Sequence, residues 1–164
     1  QKDGRDCRVR AAGYLAAADR PYLEGVRAYL DQHQLGQAFE YLGEVNRTEK
    51  IALLRSLHVF SVPTVYHEAK GVYIIESLAA GVPVVQPRHG SFPELVEATG
   101  GGLLYDPTGP EALATAIARL MDDAALRRRL ADQGRQAVRK SFTDVVMADQ
   151  TWALFETYAA KARV

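Results

Sequence analysis

Cysteine is almost absent. Cys7 is the only one in 164 residues, which excludes an internal disulfide and a cysteine-based metal cluster and fits a reducing compartment. An excess of either charge is missing too: twenty basic residues balance twenty acidic ones, so no global field gathers nucleic acid or an anionic membrane. No nucleic-acid partner is expected. No apolar run approaches the roughly 20 residues of a membrane span, and the opening QKDGRDCRVR holds no apolar core of a secretion signal. The expected location is the cytoplasm, with any membrane contact peripheral or made through a partner. No histidine pair has a zinc-like spacing, and no metal is proposed.

What is present suits one globular α/β domain, with 48% hydrophobic and 24% charged residues. Arg8 to Tyr14 reads as a strand, Pro21 to His33 as a helix opened by proline, and Ala38 to Leu42 as a second strand. Arg47 to Leu57 follows as a helix with Thr48 as its N-cap, and His58 to Val62 as a third strand. Further on come a helix from about Val72 to Ala80, a strand from Pro83 to Gln86, a short helix from Phe92 to Glu97 and a strand from Gly102 to Tyr105. Helices over Glu111–Met121, Ala125–Lys140 and about Asp144–Ala160 complete the pattern. Alternating strands and helices of this kind predict a Rossmann-like parallel sheet with flanking helices.

The chemistry concentrates between His67 and Glu94, HEAKGVYIIESLAAGVPVVQPRHGSFPE. The run follows the carboxyl end of the third strand, where ligands bind in open parallel sheets. Gly71 opens a helix, so the chain turns tightly there and the first amide N–H groups point at solvent, a position that favours phosphate. Spacing puts Val72, Ile75, Glu76 and Ala79 on one helical stripe. A carboxylate in an apolar stripe needs hydrogen-bond donors, and sugar hydroxyls are suitable; a neighbouring loop is the plainer alternative. Lys70 lies between Glu68 and the turn, where an ammonium would offset the charge of a bound phosphate or is simply solvated. His67 and His89 flank the run and could bond phosphate or sugar, whereas His33 and His58 read as structural or solvated. The Arg127–Arg128–Arg129 run, close to Asp122, Asp123 and Asp132, reads as a solvated helix face.

Glu68-x7-Glu76, Ala79-Ala80-Gly81-Val82-Pro83-Val84 and Gly90-Ser91-Phe92-Pro93-Glu94, preceded by Val62-Pro63-Thr64, resemble the donor-site segment of retaining glycosyltransferases of family 4, with the GT-B fold. Two positions depart from that pattern: Lys70 stands where an aromatic residue is usual, and Ser91 replaces the second of two glycines. The resemblance runs from about Val9 to Tyr158 and covers the C-terminal half of such an enzyme. It implies that Glu68 faces the transferred sugar as the catalytic residue. It also implies that Gly71 with the amides of Val72 and Tyr73 holds the diphosphate, that Glu76 takes the ribose hydroxyls, and that Gly90 and Ser91 line the pocket floor.

By the same resemblance the activity is hexosyl transfer in glycan biosynthesis, from a nucleotide-diphosphate sugar to a hydroxyl acceptor, with retention and no obligatory cofactor. A non-catalytic nucleotide- or sugar-binding module is the alternative. Residues 1–164 are expected to form one partial donor-binding domain. By that resemblance its acceptor-binding N-terminal partner domain and its own opening strand, whose loop usually supplies an Arg and a Lys to the diphosphate, are expected to lie outside the chain; no such pair precedes Arg8. Under the strand order 3-2-1-4-5-6 the missing strand belongs between Arg8–Tyr14 and His58–Val62. Val145, Trp152, Phe155 and Tyr158 on the last helix either pack on the domain's own sheet or cross to the N-terminal domain.

Overall fold

The protein is described by a computed structural model over residues 7–161; the Gly4–Arg5 segment lies outside the described residues. The chain divides into two compact units, Gln1–Ala52 and Leu53–Val164.

In the first unit β1 (Val9–Ala11) pairs in parallel with β2 (Phe39–Tyr41), in the register Val9 to Phe39 and Ala11 to Tyr41. Parallel neighbours need a crossover, supplied by α1 (Arg20–Gln32), which starts with proline in its first turn. Beyond the ladder, Gly13 N donates to Gly43 O at 2.9 Å and the Tyr41 hydroxyl to Gly13 O at 2.6 Å. Both strands are shorter than the sequence suggests. α2 (Arg47–Arg55) is capped by Asn46 rather than Thr48. Asn46 Oδ1 accepts from Glu49 N at 3.0 Å and Glu49 Oε2 accepts from Asn46 N at 2.8 Å, the reciprocal pairing that satisfies two orphan amides at a helix start.

The second unit holds the carboxylate run. α3 (Val72–Ala80) has the predicted bounds, with Gly71 (φ +61°) before it and Gly81 (φ +82°) after it, both left-handed. β3 (Val84–Pro87) pairs in parallel with β4 (Gly102–Tyr105), and α4 (Phe92–Thr99) makes the crossover. Every residue of β3 is buried. Val84 packs with Ile74, Leu78, Phe92, Leu95, Val96 and Val138, whereas Val85 packs with Tyr105, Leu120, Leu126 and Leu130. Both faces of the strand are therefore covered, as parallel sheets require, and each large side chain so buried contributes roughly 1.5–3 kcal/mol.

The expected third strand shortens to one bridge. Phe60 N donates to Pro83 O and Val85 N to Phe60 O, both at 3.0 Å. The next rung is taken by a side chain instead: Val62 N donates to Oε1 of the fully buried Gln86 at 3.2 Å, which ends the ladder.

α5 (Pro110–Asp122) and α6 (Ala124–Ser141) follow. Arg127 is not simply solvated: its Nη1 donates to Leu120 O at 2.7 Å and Met121 O at 3.2 Å, satisfying carbonyls at the end of α5. α7 (Asp144–Lys161) buries none of its residues, and Trp152, Phe155 and Tyr158 are exposed rather than packed on the sheet. Among the described residues no helix is long and apolar enough to cross a membrane.

Candidate functional site

The loop between Phe60 and α3 is held by its own carboxylate. Glu68 Oε1 accepts from the backbone N of Lys70 at 3.0 Å and of Gly71 at 3.3 Å, and Oε2 accepts from the Tyr73 hydroxyl at 2.9 Å. The amides, led by Lys70, and the phenol hold the Glu68 carboxyl below its ordinary value of 4.5. The group is an anion at neutral pH.

A second loop, leading into α4, closes over the first. Ser91 N donates to Glu68 O at 2.8 Å, and Gly90 (φ +57°) lies so close that a Cβ there would stand 2.6 Å from Glu68 N and 2.7 Å from Glu68 O. Only glycine satisfies both demands. Ser91 Oγ is buried without a hydrogen-bond partner and lies 3.4 Å from the place a Cβ on Gly71 would occupy. Gly71 itself is buried, and a Cβ on it would come within 2.8 Å of Leu95 Cδ1.

Lys70, Gly71, Tyr73, Gly90 and Ser91 are thus gathered around Glu68. Val72 and Tyr73 open α3, and the first amides of any helix lack intrahelical acceptors, so the positive end of the helix lies at this turn. Val72 is 55% exposed and the Lys70 residue is exposed. Glu76 lies one turn further along α3 and is half-buried. The stripe argument for Glu76 is corrected here. The residues of α3 that enter the core are Ile74, Ser77 and Leu78, whereas Val72 and Ala79, companions of Glu76 on the predicted stripe, are exposed. Apolar residues occur on both sides of this helix, Ile74 and Leu78 on one and Val72 and Ile75 on the other, so spacing alone could not choose the buried one.

His67 and His89 stack, with ring centroids 5.2 Å apart and planes at 19°, and His89 Nε2 pairs with Thr64 O at 3.0 Å. Among the described residues no cluster of His, Cys, Asp or Glu could hold a metal ion. The side chain that sequence reasoning missed is the Tyr73 phenol. Its amide was singled out, and only its place five residues after Glu68, on the first turn of α3, hinted at the contact.

A parallel α/β fold with a glycine-led helix start and a carboxylate beside it has the form of the C-terminal domain of a GT-B glycosyltransferase. The family model "Glycosyl transferases group 1" matches residues 1–137, and the chain belongs to that family. It is 33% identical over 125 residues to phosphatidyl-myo-inositol mannosyltransferase of Mycobacterium leprae, covering 76% of this chain and 33% of that protein. It is 34% identical over 114 residues to the MMP α-(1→4)-mannosyltransferase of Mycolicibacterium hassiacum, covering 69% of this chain and 28% of that one. The chain spans about a third of the length of these curated relatives.

Among solved structures, sucrose-phosphate synthase from Thermosynechococcus elongatus superimposes with a TM-score of 0.79 at 29% identity, over 94% of this chain and 39% of that one. The Anabaena protein Alr3699/HepE, solved in complex with UDP, does so with a TM-score of 0.83 at 20% identity, over 92% and 41%. The second likeness concerns the fold alone.

Proposed function

We propose that this chain is the nucleotide-sugar-binding domain of a retaining glycosyltransferase of family 4, a hexosyltransferase of glycan biosynthesis acting in the cytoplasm. The observation that carries the reading is the Glu68 loop, where an anionic carboxylate and the glycine-led start of α3 meet at one turn. In this reading the diphosphate sits at the amides of Val72 and Tyr73, where the helix dipole and the Lys70 ammonium offset its charge. Glu76, on the more open side of α3, takes the ribose hydroxyls, and Gly90 and Ser91 line the floor. Glu68 accepts hydrogen bonds from the transferred sugar. The nucleoside diphosphate leaves while a hydroxyl acceptor attacks the same face of the sugar, and donors fixed in advance stabilise the charge on the leaving group.

The acceptor site belongs to an N-terminal domain, against which the exposed aromatics of α7 pack. Curated relatives named as mannosyltransferases and a fold neighbour holding UDP support a nucleotide-sugar donor.

Calorimetric titration with UDP, GDP and ADP tests the site and names the base. In the complete enzyme Glu76→Ala is expected to weaken nucleotide-diphosphate binding by about 1–3 kcal/mol. Glu68→Gln is expected to lower turnover far more than donor affinity. An unchanged nucleotide affinity in the first variant, or a loss confined to KM in the second, rejects the corresponding role.

A further inference from the structure

The Glu68 carboxylate has about four acceptor positions, and this structure fills three of them. Oε1 takes the amides of Lys70 and Gly71, and Oε2 takes the Tyr73 hydroxyl. The Ala69 amide adds only a weak pull on the carboxylate, and Oε2, which takes the single bond from Tyr73, has room for a further donor.

We propose that Tyr73 is a positioning residue whose phenol fixes the direction in which Glu68 Oε2 offers its last acceptor position to a hydroxyl of the transferred sugar. The inference rests on the assignment of Glu68 to the reacting sugar. A glutamate reaching from a loop has rotamer freedom that a single anchored oxygen does not remove, because the carboxylate still swings about that anchor. A second donor, on the other oxygen, stops the swing.

Tyr73 is itself well anchored for this. It stands in the first turn of α3, and its ring lies between Phe60, at 6.1 Å between centroids, and the fully buried Phe92, at 6.4 Å. Tilted aromatic pairs at these separations are attractive. Burial, and then the bond to Glu68, push the phenol well above the usual tyrosine range. Tyr73 therefore stays a donor near neutral pH, where Glu68 is an anionic acceptor.

The test is Tyr73→Phe, which keeps the ring and its packing and removes only the hydroxyl. In the complete enzyme kcat is expected to fall about tenfold or more, the size of one hydrogen bond to a charged acceptor, with KM and nucleotide affinity nearly unchanged. The acid limb of the kcat profile should move to higher pH, because Glu68 has lost a donor that stabilises its anion. Carboxyl NMR of the 164-residue chain should show the same upward shift in the titration of Glu68. Tyr73→Leu, which also removes the ring, should lower thermal stability well beyond the loss of one hydrogen bond that Tyr73→Phe carries.

An unaltered kcat in Tyr73→Phe overturns the proposal, whether or not the titration moves. A loss of activity matched by an equal loss of stability in both variants also overturns it, since ring packing then accounts for the effect. Glu68→Gln separates the two levels: if that variant keeps full turnover, the assignment of Glu68 falls and this inference with it. If Glu68→Gln is crippled while Tyr73→Phe is silent, only the positioning role of Tyr73 falls.

Discussion

Replacing Gly90 by alanine perturbs the fold and the candidate site at one atom. Two separable terms oppose the new methyl group. The backbone is left-handed there, at φ +57°, which costs an L-residue about 1–2 kcal/mol. The Cβ also falls 2.6 Å from Glu68 N and 2.7 Å from Glu68 O, where ordinary contact begins at 3.4 Å. These are backbone atoms, fixed by the Ser91 N to Glu68 O bond of 2.8 Å and by the amides that the Glu68 side chain holds. Relief requires the two loops to part by several tenths of an ångström, with strain of about 1–3 kcal/mol or the loss of that bond at about 1 kcal/mol.

Gly100 supplies the internal control. It is left-handed to the same degree, at φ +59°, but the nearest atom to its Cβ is 3.7 Å away. Gly100→Ala therefore carries only the conformational term, and the gain from a stiffer unfolded chain, about 0.4–1 kcal/mol, applies to both variants and cancels. Urea unfolding followed by circular dichroism should place Gly90→Ala about 1–3 kcal/mol below Gly100→Ala with equal slopes. Carboxyl and amide NMR should show the disturbance reaching Glu68, Lys70 and Gly71. Equal stabilities within about 0.5 kcal/mol would show that the two loops are not in the close contact on which the site depends.

Helical glycines should respond with opposite signs. A Cβ on Gly134 would stand 2.6 Å from Leu78 Cδ2 and 2.9 Å from Gly101 Cα, so Gly134→Ala should destabilise by about 1–3 kcal/mol; nothing lies within 4 Å of Gly25, so Gly25→Ala should stabilise by about 1 kcal/mol. Calorimetric melting that finds the same sign for both would refute this. The Glu68 carboxyl lies below 4.5 in the fold, so its stabilising contribution is complete above that pH and is lost as pH falls through the depressed folded value. The stability gap between the native chain and Glu68→Gln should accordingly be constant near neutrality and close in acid, and a gap that stays open at the acid end contradicts it. Trp152, the only tryptophan, is 66% exposed, so its emission in this chain should be that of hydrated indole and readily quenched by acrylamide; protected emission would show α7 covered.

The parts legible in the sequence were those specified by local chemistry. Gly71 and Gly81 bracket α3 at its observed ends because each adopts a left-handed conformation that stops regular structure. β4 has its predicted bounds because Gly101 and Asp106-Pro107 punctuate it on either side. Legibility failed where a distant residue decides. Nothing near Val62 announces that Gln86, twenty-four residues on, replaces a rung of the ladder with its side chain. Nothing in VYIIESLAA chooses between its two apolar sides, because that choice belongs to Val84, Phe92 and Val138 packed from elsewhere.

The same distinction between local and distant contacts runs through the site. The Glu68 to Gly71 turn is a local object: its three hydrogen bonds span two, three and five residues of sequence, so any chain with this stretch can build it. Its orientation is not local, because Gly90 and Ser91 must come from the far side of β3 to pin the Glu68 backbone. Short-range bonds thus fix how the carboxylate sits on its loop, and long-range packing fixes where that loop points. A substitution that disturbs only the first should change turnover more than stability, as expected for Tyr73→Phe. One that disturbs the second should change both together, as expected for Gly90→Ala.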